Sequence, residues 1–334
     1  MRSKTAHRKK SRSSPPGVTA VLQDYRLCLE AANRSPKTVR GYLQNLPRFF
    51  DFNSLHFPRK TLVQIGPEEL RAYIRHLQEA PRWATHPNIK GDRGKLSAHS
   101  VQVHVRDIKA FWSFLCREGY IEKNPLAGFP LPKTPQKPVN TFQANQIRTL
   151  LAGIDRDSPR GALYSAMVHA LIDTGARISE LTHIRVRDLD LQQGWVRVTG
   201  KGMKTRLVPL SAPCRRELGR YLRLFRSHLA PADSEYLFPG ADGESISVNA
   251  FQQYLRRLAR RCGLAGVKCS PHVFRHTFAT ESIANGANVF VLKEVMGHES
   301  LQTTLKYVHL QPKDIQSQHA RFSPLAHLKK RPEL

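Results

Sequence analysis

The stretch WVRVTGKGMKTRLVPL, residues 195–210, decides the fold class. Trp195, Val196 and Val198 lead into Gly200-Lys201-Gly202, and Leu207, Val208 and Leu210 follow. Two short apolar runs joined by a glycine-containing turn predict a β-hairpin. No other segment reads clearly as β. On either side the apolar spacing is helical, with helices predicted near 143–153, 159–173, 212–227, 247–262, 272–284, 289–296 and 301–308. The chain is therefore expected to be mainly α with one small β-hairpin or sheet.

Upstream, NPLAGFPLPKTPQKPVN, residues 124–140, places five prolines in seventeen residues. Proline removes a backbone donor and fixes φ, so the segment cannot be helical and reads as a stiff link. Before it, four helical stripes are legible. Val21, Leu22, Tyr25 and Leu29 form the first. Asn33-Arg34-Ser35-Pro36 breaks and restarts the helix, with Ser35 as cap and Pro36 in the first turn. Val39, Tyr42, Leu43, Leu46, Phe49 and Phe50 then form the second stripe. Leu70, Tyr73, Ile74 and Leu77 follow Gly66-Pro67, and Val101, Val105, Ile108, Phe111, Trp112 and Leu115 mark a helix over 97–118. The expected organisation is a basic arm over 1–16, a helical domain over 17–125, a proline-rich link over 126–140, a second domain over 141–310 and a tail over 311–334. Residues 81–95 read as a basic loop.

Charge narrows the partner. The 334 residues carry 53 Lys and Arg against 26 Asp and Glu, a net charge of +27, with a pI near 10.4. That surplus runs along the whole chain and points to a polyanion, nucleic acid before a membrane surface. The arm 1–16 holds six Lys or Arg and no acid. It lacks the apolar segment of a secretory signal, and no apolar run is long enough to span a bilayer. The five cysteines, Cys28, Cys116, Cys214, Cys262 and Cys269, include no C-x-x-C pair. This fits a reducing compartment and argues against a disulfide framework or a zinc knuckle.

Four stretches could carry chemistry. In TGARISEL, residues 174–181, Gly175 ends one helix and Arg177 opens the next. A guanidinium fixed at such a junction can grip two phosphate oxygens, or simply pair with Glu180. Lys201 stands between two glycines at the hairpin turn, where it is a proton or charge donor to a ligand, or a solvated turn lysine. In SPHVFRHTFAT, residues 270–280, His272, Arg275 and His276 share one helix face. Two histidines at that spacing can hold zinc, but Val273 stands where a zinc-protease helix has its glutamate, and Arg275 opposes a cation. VMGHESLQTTLKYVHL, residues 295–310, holds His298 and Tyr307. Tyrosine, with a pKa of about 10, is a poor nucleophile at neutral pH unless cations and a base assist it.

Each stretch alone has a bland structural reading. Their order does not. Arginine in TGARISEL, lysine in GKGMKTRLVPL, H-x-x-R in HVFRH, histidine in GHES and a tyrosine nine residues on resemble the tyrosine recombinase, or phage integrase, family, over roughly 141–310. Within it the chain looks most like the Xer-type and mobile-element integrases of bacteria. The resemblance implies a helical core-binding domain that clamps DNA, followed by a mixed α/β catalytic domain. It implies that Arg177 and Arg275 hold the scissile phosphate, that His298 donates to a phosphate oxygen, and that Lys201 protonates the leaving 5′-hydroxyl. His272 would help manage the proton of Tyr307, the nucleophile of a 3′-phosphotyrosyl link. Glu180 would support Arg177, and His276 is read as structural. Departures from the family pattern at Phe274, Met296 and Val308 remove no reacting group.

The implied reaction exchanges one phosphoester for another, so no metal, ATP or other cofactor is expected. The implied partners are double-stranded DNA bearing recombination sites and three further protomers in a tetramer, with Ile315, Phe322, Leu325 and Leu328 of the tail as docking anchors. Arg256, Arg257, Arg260 and Arg261 are read as DNA-contacting. The location implied is the cytoplasm, on the nucleoid. Integration, excision or transposition of a mobile element is the preferred task, with Xer-type dimer resolution as the alternative. A DNA-binding module without catalysis is the remote one, and a metal-dependent hydrolase lacks the carboxylate cluster it would need.

Overall fold

The computed structural model describes residues 17–79, 94–135, 139–229, 231, 233–264, 266, 268–308 and 319. The basic arm 1–16, residue 80, residues 81–93 of the basic loop and the tail beyond 308, residue 319 apart, lie outside the described residues. The chain divides into two compact units, 1–137 and 138–334, each with its own core.

The first unit is helical. α1 is Val18–Ala31, α2 Pro36–His56, α3 Pro67–Glu79 and α4 Ala98–Arg117. Ser35 caps α2 by accepting from the Thr38 N–H at 3.3 Å, and Ser97 caps α4 by accepting from Ser100 N–H at 3.1 Å. Such caps satisfy donors that the first helical turn leaves free. The apolar stripes converge on Phe49, Tyr73, Phe111 and Trp112, all buried, with Phe49 and Trp112 edge to face at 5.6 Å. Pro47 lies inside α2 without ending it. Buried Leu46, Phe49 and Phe50 flank it, and each such burial contributes about 1.5–3 kcal/mol, enough together to offset a proline's cost of about 3 kcal/mol.

The second unit is built around α6, Pro159–Thr174, which is buried nearly all round through Ala162, Leu163, Ala166, Met167, Val168, Ala170 and Leu171. Helix α5 is Ala144–Ala152, α7 Ile178–Thr182, α8 Ala212–Leu224 and α9 Val248–Arg261. The last three are α10, Pro271–Ala284, α11, Val289–Met296, and α12, Leu301–Leu305. Helices α8 and α10 pack on α6.

The hairpin strands are β2, Trp195–Thr199, and β3, Thr205–Pro209, and a two-residue β1, Leu189–Asp190, extends them to an antiparallel sheet of order β1-β2-β3. Val196 pairs with Val208 and Val198 with Arg206. Side chains alternate across a strand, so Val196, Val198, Arg206 and Val208 share the inward face. This register carries one arginine from the hairpin toward the interior. The fold is thus mainly helical with one small sheet. Among the described residues, no helix is long and apolar enough to cross a membrane.

Candidate active site

Two helix ends create the site. Helix α6 stops at Gly175, whose φ of 59° is left-handed, and α11 stops at Gly297, with φ of 64°. The last carbonyls of a helix have no partner within it and carry its negative dipole end. Arginines take them here. Arg275 Nη1 donates to Gly175 O at 2.6 Å and Nη2 to Met296 O at 2.9 Å. Arg177 Nη2 donates to Gly297 O at 3.1 Å, and Arg206 Nε donates to Val295 O at 2.8 Å. Three successive carbonyls at the end of α11 thus hold three guanidiniums from α7's cap, β3 and α10.

Glu180 binds two of them together. Its carboxylate is 3% exposed. It accepts from the Arg177 N–H at 3.0 Å, from Arg177 Nη1 at 2.8 Å and from Arg206 Nη2 at 2.7 Å. Burial pushes its pKa up, but the Arg206 bond and then those from Arg177 win, and the group is held below the usual carboxylate range. Arg275 is 6% exposed, and burial, then Arg177, lowers its pKa to about 10, so it stays charged at neutral pH. Three guanidiniums facing one carboxylate leave two positive charges uncompensated. A phosphodiester, whose transition state gathers close to two negative charges, suits that surplus.

His298 follows Gly297 directly. Its ring is buried, its Nδ1 lies 2.8 Å from Thr304 Oγ1, and the Thr304 hydroxyl is itself fully buried. Burial first, then Arg275 and Arg177, lowers the His298 pKa to about 4. The ring is neutral at pH 7. Nδ1 is engaged with the threonine hydroxyl, and among the described residues nothing bonds to Nε2. Tyr307 packs beside it, ring centroids 6.5 Å apart and planes 11° from parallel, within a small cluster of Ala279, Leu292 and Met296. Its pKa is raised by burial against the opposing pull of Arg275, so the phenol is protonated at rest.

The structure brings Arg177, Glu180, Arg275, His298 and Tyr307 together. Lys201 belongs to the turn between β2 and β3, but its side chain lies outside the described residues. His272 is exposed at the start of α10, its ring 6.4 Å from that of His276. The Tyr307 hydroxyl meets His276 instead, at 2.7 Å from Nδ1. Arg206 was not singled out in the sequence, although the alternation Arg206-Leu207-Val208 places it on the same face as Val208. Arg256, Arg257 and Arg260 are exposed on α9, while Arg261 donates to Gly153 O at 2.6 Å. None of the four bonds to the cluster. Among the described residues, no group of three or more His, Cys, Asp or Glu is placed to hold a metal ion.

Residues 140–314 match the phage integrase family, and this range includes every member of the cluster. The chain belongs to that family. A tyrosine recombinase XerC of Oceanobacillus iheyensis is 31% identical over 298 residues, 88% of this chain and 92% of the relative. A tyrosine recombinase XerD of Pseudomonas aeruginosa is 33% identical over 228 residues, 68% of this chain and 76% of the relative. Among solved structures, the Tn1549 transposon integrase in complex with transposon right end DNA is 18% identical, with a TM-score of 0.71 over 91% of this chain and 99% of that one. This last likeness establishes a shared fold. As a member of the family the chain is a tyrosine recombinase, and its enzymatic activity is site-specific recombination.

Proposed function

We propose that this recombinase cuts and rejoins double-stranded DNA at specific sites through a 3′-phosphotyrosyl link to Tyr307. The observation that carries this reading is the burial of the Tyr307 ring beside His298, whose backbone continues directly from carbonyls gripped by Arg177 and Arg275. A nucleophile, a neutral imidazole donor and two phosphate-gripping cations are thereby held by segments 130 residues apart in sequence (Arg177 to Tyr307). Arg177 and Arg275 take the non-bridging oxygens, with Glu180 fixing Arg177. His298 donates to the same phosphate, Lys201 supplies a proton to the leaving 5′-hydroxyl, and His272 assists with protons at the edge of the site.

The phosphoester is exchanged at similar energy and exchanged back on ligation. Strand exchange between two duplexes calls for a tetramer, with the tail 311–334 as the docking segment. The task we propose is movement of a mobile element, supported by the extra basic charge of the arm 1–16 and the loop 81–95. The similarity to XerC and XerD favours a second reading, resolution of chromosome or plasmid dimers by an enzyme of the cytoplasmic nucleoid.

The test uses nicked duplexes built from the sequences that flank the gene, incubated with the full chain in EDTA. The expected result is a covalent protein–DNA band that survives the chelator and is lost in Tyr307→Phe. A band that persists in Tyr307→Phe would sink the proposal.

A further inference from the structure

The Tyr307 hydroxyl has one polar side chain within hydrogen-bond distance among the described residues, and it is His276. The contact spans 31 positions in sequence and joins α10 to the end of α12. The two rings lie 5.6 Å apart, centroid to centroid, tilted by 48°. Tyr307 is buried and His276 half-buried. A buried phenol must donate its proton to something, and Nδ1 is the acceptor in reach. Nothing in the described residues bonds to His276 Nε2. With the phenol as donor, Nδ1 accepts and the ring carries its proton on Nε2; the His272 ring lies 6.4 Å away, centroid to centroid.

We infer that His276 is the general base of the reaction, the group that removes the Tyr307 proton during cleavage and returns it during ligation. This inference rests on the proposed role of Tyr307 as nucleophile. In the forward step the Tyr307 Oη–H bond breaks and its proton passes to His276 Nδ1. The Oη–P bond forms, the P–O5′ bond breaks, and the 5′-oxygen leaves with a proton from Lys201. In the reverse step the His276 imidazolium returns its proton to the departing phenolate oxygen. A nucleophile hydrogen-bonded to its base, with both partly screened from water, is the arrangement that activates a weak hydroxyl.

The resting charge state fits. Burial first, then His272 and Arg275, pushes the His276 pKa below the ordinary imidazole value, so the ring is neutral at pH 7 and can accept. The groups acting on it are His272 and Arg275 on its own helix and Tyr307 across from it. His272 lies one ring further out and is exposed, so it is placed to exchange protons with water behind His276 rather than to touch the nucleophile.

Two measurements test this. The first uses the full chain without DNA and reads histidine tautomers by nitrogen-15 NMR. The neutral Nε2–H tautomer of His276 is expected, with its signals shifted in Tyr307→Phe. A protonated Nδ1 at neutral pH would overturn the inference. The second follows first-turnover covalent complex formation on the nicked duplex against pH, with His276→Gln and Tyr307→Phe side by side. Glutamine can accept the same hydrogen bond but cannot take the proton. His276→Gln is expected to slow the step by roughly 100-fold or more and to erase the acid limb of the wild-type profile. If His276→Gln keeps the wild-type rate and profile, the base is elsewhere and only this inference falls. If Tyr307→Phe keeps the band, the nucleophile assignment falls with it.

Discussion

His298 is a buried neutral ring within the electrostatic reach of Arg275, Arg177 and Arg206, and that has a cost that depends on pH. Its native pKa of about 4 lies below the value of 6.5 for a free imidazole. Between those limits the unfolded chain binds a proton that the native site refuses, so native stability is full above about pH 6.5 and falls as pH drops toward 4. His276, shifted in the same direction, adds to the loss. Glu180 acts in a lower window, because its pKa lies below the ordinary carboxylate range. For His298 alone the effect is on the order of 3 kcal/mol. Chemical denaturation of the full chain beside His298→Gln should show the pH dependence between 6.5 and 4 flatten in the variant. Equal slopes in the two proteins would contradict it. At this scale the sequence named most of the cluster, but it did not foresee that the Tyr307 hydroxyl would meet His276. His272 and His276 share a face of one helix, and spacing along α10 says nothing about which of them meets a tyrosine 31 residues away. Arg206 was hidden for a different reason. Its inward direction follows from strand register, and a basic residue between Lys204 and Leu207 looks like surface until the pairing of Val198 with Arg206 is known.

At the scale of elements, the ends of α6 and α11 are what aim the arginines, and both depend on glycine. At Gly175 the backbone is left-handed, and an added Cβ would lie 2.2 Å from the Phe278 ring. At Gly297 it would lie 2.8 Å from Nη1 of Arg206, the guanidinium whose Nη2 donates to Glu180. A Cβ in this conformation costs roughly 1–2 kcal/mol before any clash, and overpacking adds about 1–3 kcal/mol. Gly175→Ala should therefore destabilise the second unit by about 2–5 kcal/mol in thermal or chemical denaturation, and a change under about 0.5 kcal/mol would show that the end of α6 relaxes freely. Gly297→Ala should cost less, since the far end of Arg206 can move, but it should release Arg206 from Glu180. The sequence makes these ends visible because glycine after an apolar helical run is a stop signal. The helices and the hairpin were legible for the same reason, as periodicity and turn chemistry are local. β1 was not, because a two-residue strand has no period, and the carbonyl grips were not, because they join α11 to α7, β3 and α10 across the fold.

For the whole molecule the dominant fact is a net charge of +27, of which α9 displays a concentrated part. Phe251, Leu255 and Leu258 bury one face of α9, and Arg256, Arg257 and Arg260 stand exposed on the other. Arg256 with Arg260, and Arg257 with Arg261, are like charges one turn apart, which repel by a few tenths of a kcal/mol per pair. Arg261 is drawn aside to the Gly153 carbonyl. The other three bond to no carboxylate among the described residues. A helix that keeps three unpaired cations on one face is suited to a polyanion, whose phosphates would replace the repulsion with attraction. Counterion release makes this measurable, since each phosphate neutralised on duplex DNA contributes about 0.9 to the slope of log K against log salt. Replacing Arg256, Arg257 and Arg260 together with glutamine should weaken binding at low salt and flatten that slope by up to about three. The same slope for variant and wild type, across low and moderate salt, would mean that α9 faces away from the duplex and that its charge serves another surface.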